Sequence, residues 1–90
     1  MRTVTVSLTV TAQVALSWTA STSQGVVGYN AYRSLTSGGP YTKLNSSLIS
    51  GTSYIDQMVQ GGLTYYYVTT AVNSQQVESS YSNEAAATVP

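Results

Sequence analysis

The segment from Thr3 to Thr11 alternates almost without a break. Val4, Val6, Leu8 and Val10 fall on one side, and Thr3, Thr5, Ser7, Thr9 and Thr11 on the other. Successive side chains of a strand point to opposite faces, so this pattern encodes a half-buried β-strand. Strand formers dominate the rest of the chain too. Thr, Ser, Val and Tyr make up half of the 90 residues, with Thr, Val and Tyr favouring strands and Ser serving turns and solvent faces. The only helix-like run, Glu84 to Ala87, is too short and leads into Thr88-Val89 without an apolar stripe.

The alternation predicts seven strands. After Thr3 to Thr11 come Gln13 to Thr19, with Val14, Leu16 and Trp18 inward, and Val26 to Ser34, with Tyr29 and Ala31 on one face and Tyr32 on the other. Tyr41 to Asn45 and Thr52 to Asp56 read as short strands, Thr64 to Asn73 as a long one, and Tyr81 to Val89 as the last. Breakers lie between them, notably Ser37-Gly38-Gly39-Pro40 and Gly61-Gly62. Turn signals at this spacing imply an all-β, seven-stranded, immunoglobulin-like antiparallel sandwich, with residues 1–90 forming a single domain.

Several function classes are excluded by what is missing. The chain has no Cys and no His, which removes disulfides, thiolate sites and the commonest general base. Three basic residues (Arg2, Arg33, Lys43) balance three acids (Asp56, Glu78, Glu84). Zero net charge argues against nucleic acid and against an anionic membrane, and no stretch is long and apolar enough to span a bilayer. The acids are not clustered as a calcium loop requires, and Asp56 is expected at the opposite end of the sandwich from Glu78. The sequence therefore predicts no catalytic, cofactor-binding or metal site. Asn45-Ser46-Ser47 matches a glycosylation triplet, a weak signal in so Ser-rich a chain.

Three segments resemble a fibronectin type III domain, and the match covers nearly the whole chain. Leu16-Ser17-Trp18 resembles the tryptophan segment of its second strand, and Gly28-Tyr29-Asn30-Ala31-Tyr32-Arg33 its third strand. Val59-Gln60-Gly61-Gly62-Leu63-Thr64-Tyr65 resembles the run that opens its sixth strand, and Tyr81-Ser82-Asn83-Glu84-Ala85 fits the closing strand. The resemblance makes Trp18 and Tyr65 structural, Tyr65 as a tyrosine corner. The Ser-Gly-Gly-Pro-Tyr turn is similar to modules attached to bacterial extracellular enzymes.

The departures matter as well. Gly61 and Leu63 stand where the family often has Pro and Thr, and the loop Ser74-Gln75-Gln76-Val77 lacks the family's usual Gly. Thr69 and Ala31 occupy inward positions on strands expected to be neighbours. A buried hydroxyl needs a partner, so Thr69 is expected to bond to backbone, with neighbouring side chains filling the space beside Ala31.

Two surfaces remain for a partner. One is the end of the sandwich where loops Ala20–Gly25, Ser46–Gly51 and Ser74–Ser80 gather. The other is the outward face of the third, sixth and seventh strands, which by parity carries Tyr32, Tyr66, Val68, Thr70, Val72, Glu84 and Ala86. So few charges on a sheet face suit a protein partner or a second copy of the chain, and Ile55, Met58 and Leu63 are expected to extend the exposed apolar area. The Ala-rich last strand is a further edge for pairing.

The initiator Met, the lack of an export leader and the departures above suggest an engineered or designed scaffold with a protein-interaction or spacer role, located in recombinant cytoplasm. The alternative is a carbohydrate-binding accessory module of a secreted bacterial enzyme, which would be extracellular.

Overall fold

The computed structural model describes residues 6–10 and 13–90. Seven strands follow in order: β1 (Val6–Val10), β2 (Val14–Trp18), β3 (Val26–Ser34), β4 (Thr42–Lys43), β5 (Ser53–Asp56), β6 (Thr64–Asn73) and β7 (Ala85–Thr88). They form two antiparallel sheets, one ordered β1-β2-β5 and the other β4-β3-β6-β7. This is the expected all-β sandwich. The bounds predicted for the first strand extend beyond it to residues 3–5 and 11, which lie outside the described residues, as do the inward side chains of Val4, Leu8 and Val10 and the segment read for an export leader.

Period-two patterning places the core. In β2, Val14, Leu16 and Trp18 are buried while Ser17 is exposed. They meet Tyr29 and Ala31 of β3 and Tyr65, Tyr67 and Ala71 of β6 in one cluster. Trp18 packs edge-on against Tyr29, with ring centroids 5.6 Å apart. Tyr65 is a tyrosine corner: its hydroxyl oxygen accepts the Gln60 N–H at 2.8 Å. Gly28 admits the 48–49 loop against β3, since a Cβ there would lie 3.0 Å from the Leu48 Cβ and 3.1 Å from the Ile49 carbonyl oxygen.

Two strands are shorter than the sequence pattern predicts, and the reason is the same on both flanks of the central β3–β6 pair. The Ala31 N–H donates at 2.9 Å to the Asn45 side-chain oxygen, so β4 ends where an amide replaces a strand carbonyl. On the other flank, the Ser82 and Ser79 hydroxyls accept the N–H groups of Thr69 and Ala71, both at 2.9 Å. The N–H groups of the same serines donate to the Thr69 and Ala71 carbonyls. Two serines thus satisfy β6 where strand pairing was expected, and β7 proper begins only at Ala85.

Thr69 departs from expectation. It pairs with Ala31 across β3 and β6, and both are fully buried. Its Oγ1 is buried without a hydrogen-bond partner among the described residues, rather than bonded to backbone. An orphaned buried hydroxyl costs about 1–3 kcal/mol. Thr69→Val keeps the shape and removes the orphan, so we expect a gain of about 1–2 kcal/mol, read as a rise in thermal midpoint. A fall would mean that the hydroxyl is bonded after all.

Candidate functional site

The three acids are held by the frame, each in a different place. Asp56, at the end of β5, is buried and receives the Arg33 guanidinium at 2.8 Å, the Tyr67 hydroxyl at 2.8 Å and the Met58 N–H at 3.0 Å. Arg33 and Tyr67 belong to the four-stranded sheet and Asp56 to the three-stranded one, so this cluster clamps the sheets together. The guanidinium also lies 5.2 Å from the centre of the Tyr65 ring. Burial first, and then the bond to Asp56, push the Tyr67 hydroxyl well above the usual phenol range.

Glu78 receives the hydroxyls of Tyr32 and Thr70. Partial desolvation works to raise its carboxyl. The bonds from Thr70, Tyr32 and Asn30, together with the charge of Lys43, outweigh that and hold it below the ordinary value. Glu84 receives the Gly38 N–H and the hydroxyls of Ser37 and Tyr41, which tie the C-terminal segment to the 37–41 turn. Those bonds, the Gly38 N–H first, lower its carboxyl too.

The outward sheet face carries the expected residues, but not in the expected exposure. Tyr32 and Tyr66 are half-buried and Ala86 and Glu84 are exposed, whereas Val68, Thr70 and Val72 are only 2%, 2% and 3% exposed. The chain's own segment covers them. The Tyr32 side chain starts opposite Val68 and ends on Glu78 beside Thr70. Tyr81 packs edge-on against both Tyr32 and Tyr41, and Glu78 bridges to Val72. The parity of a strand names its face and not what lies over that face. Ile55, Met58 and Leu63 are exposed, as expected.

The paired tyrosines make stability pH-dependent in alkali. Burial, then the bond to Glu78, raises Tyr32 to about 12. The bond to Glu84, then burial, raises Tyr41 to about 12. Tyrosines of the unfolded chain ionise near about pH 10, so between the two values the folded state holds more protons and stability falls as pH rises. This contribution is complete below about pH 10 and lost through about 12. Denaturant midpoints are expected to drop over that window. They should stay level between about pH 6 and pH 9, where no side chain present ordinarily titrates.

The three loops do gather at one end. Loops 20–25 and 74–80 line one depression, through Ser23, Gln24 and Val77. Loops 46–51 and 74–80 line a cleft of about 280 Å³ whose walls include Asn30, Lys43, Asn45, Leu48, Gln76 and Glu78. Asn45 is buried and fully engaged: its amide nitrogen donates to the Asn30 side-chain oxygen at 2.8 Å and to the Ser47 carbonyl at 3.0 Å. It is therefore no glycosylation acceptor in the folded chain. Neither this cleft nor the cross-sheet clamp was assembled from the sequence, since both join residues far apart along the chain.

No family model matches the chain. A solved Fn3-like protein from Clostridium thermocellum shares its architecture at a TM-score of 0.81 and 36% identity, over 99% of this chain and 93% of that one. The chain belongs to the fibronectin type III-like family. An amylopullulanase of Thermoanaerobacterium saccharolyticum is 43% identical over 75 residues, which are 83% of this fibronectin type III-like chain and 6% of that protein. A pectate lyase from Pectobacterium carotovorum, 22% identical, shares the fold at a TM-score of 0.82 over 94% of this chain and 27% of its own. The engineered origin expected from the sequence finds no support among these bacterial relatives.

Proposed function

We propose that this fibronectin type III-like chain is a non-catalytic accessory module of a secreted bacterial enzyme that acts on polysaccharide, working outside the cell. The observation that carries this reading is the 43% identity to a segment making up only 6% of an amylopullulanase. The geometry supports it. A general acid or base must be free to reach a reacting group, and each of the chain's three side-chain carboxylates is engaged with the frame. Depressed carboxyls at Glu78 and Glu84 suit fixed acceptors and not proton donors.

The test is an exchange. In the Thermoanaerobacterium saccharolyticum amylopullulanase, the matching segment is either deleted or replaced by this chain. Replacement is expected to restore what deletion removes, measured as turnover of insoluble starch and as thermal half-life. A replacement no better than the deletion, or release of sugar from starch by the isolated chain, would overturn the proposal.

A further inference from the structure

The loop-end cleft has the chemistry of a carbohydrate subsite, and we infer that it binds one neutral pyranose unit of a glycan. This inference rests on the accessory-module reading above and gives it a place on the molecule. The tyrosine cluster is the obvious rival surface, but its geometry is wrong. Tyr32, Tyr41 and Tyr81 meet edge to face at interplanar angles of 71° and 69°, so they offer no flat stacking platform. The hydroxyls of Tyr32 and Tyr41 are already committed to Glu78 and Glu84.

The cleft is built differently. Its floor is rigid and polar. Asn45 is bonded to the Ala31 N–H, the Asn30 side chain and the Ser47 carbonyl, and Asn30 is itself buried. Its walls carry one cation and one anion, Lys43 and Glu78, together with Gln76, Ser46 and Ser47. Lys43 supplies donors, and Glu78, whose Oε2 already accepts the Tyr32 and Thr70 hydroxyls, keeps the lone pairs of its other oxygen, a combination that suits a neutral, polyhydroxylated ligand. Leu48, 43% exposed, adds the apolar contact that the C–H face of a sugar ring requires. A volume of about 280 Å³ has room for a sugar ring.

The backbone gives an independent sign. Gln76 has φ of +63°, in the left-handed region that side chains rarely adopt. The turn is held there by Asn73, whose side-chain oxygen accepts the N–H groups of Gln75 and Val77 at 2.9 and 3.0 Å. Glycine would meet this turn without strain, yet a Gln stands there and lines the cleft. A strained position that keeps a polar side chain facing a cleft is where function is stored at the expense of stability.

The experiment is a ¹⁵N–¹H NMR titration of the 90-residue chain with maltotriose and, separately, cellotriose. Saturable shifts are expected for at least one, centred on amides 45–48 and 76–78, with an affinity in the millimolar range. Gln76→Gly is expected to melt no lower than the parent while binding roughly threefold to tenfold more weakly, the worth of one polar contact. Lys43→Ala, on an exposed side chain, should weaken binding in the same range. The inference is overturned if neither sugar gives saturable shifts, if the shifts centre on the tyrosine cluster, or if Gln76→Gly binds unchanged. The enzyme exchange reads the module's role without reference to this cleft, so the two proposals fail separately.

Discussion

Arg33→Met should destabilise the domain by about 3 kcal/mol, the low end of the range for breaking a buried ion pair, since the Arg33 side chain is itself partly exposed. The substitution keeps an apolar stem of similar length, so packing against Tyr65 is largely retained and the loss is electrostatic. What remains is Asp56, buried at the junction of the two sheets and deprived of its cation. The Tyr67 hydroxyl and the Met58 N–H still bond to it and soften the loss. The double variant Arg33→Met/Asp56→Asn should recover most of the stability: the amide oxygen still accepts the Met58 N–H, the amide NH2 can donate to the Tyr67 hydroxyl oxygen in place of the bond that Asp56 accepts from it, and no charge is left buried. Urea unfolding followed by Trp18 fluorescence measures both. A single variant within about 0.5 kcal/mol of the parent would mean that the pair behaves as a solvated surface contact.

Trp18→Ala is the second large effect, at about 3–5 kcal/mol. A domain of this size commonly has only about 5–15 kcal/mol in total, so the variant should be marginally folded at room temperature. The indole fills the centre of the cluster between β2 and β3 and meets Tyr29 edge-on. Its Nε1 is buried with no partner among the described residues. That separates two contributions. Trp18→Phe deletes volume and also removes an orphaned donor, so it should lose roughly half of what Trp18→Ala loses. Far-UV dichroism is the readout, since the fluorophore is gone. Equal losses in the two variants would show that the indole N–H contributes a bond.

The sequence was most legible where one strand supplies its own pattern. The bounds of β3 and β6 follow from runs of strand formers between breakers, and the inward triplet of β2 from alternation, while the corner at Tyr65 is what the fibronectin type III resemblance implied. Thr69 could be singled out as inward and odd, though its lack of a partner could not. The shortened β4 and β7 were not legible because Asn45, Ser79 and Ser82 read as turn residues. Their role as substitute carbonyls and hydroxyls exists only once β3 and β6 are paired. The covering of Val68, Thr70 and Val72 was hidden for a similar reason: it depends on Tyr81 and Glu78 folding back over β6. Arg33 with Asp56, and Lys43 with Glu78, are separated by 23 residues in the first case and by 35 in the second, so scattered charges in the sequence become clusters only in the fold.

That the few carboxylates serve the frame and not a reaction is tested most directly by their own titration. Following the side-chain carboxyl carbons of Glu78 and Glu84 by ¹³C NMR across acid pH should give midpoints for both below the ordinary 4.5. The unfolded chain takes up these protons first as pH falls, so the stability they contribute is present above that value and lost as pH drops through the folded midpoints. A midpoint raised above 4.5 at either residue would mark a carboxyl released from its partners and able to donate a proton, contradicting a non-catalytic role.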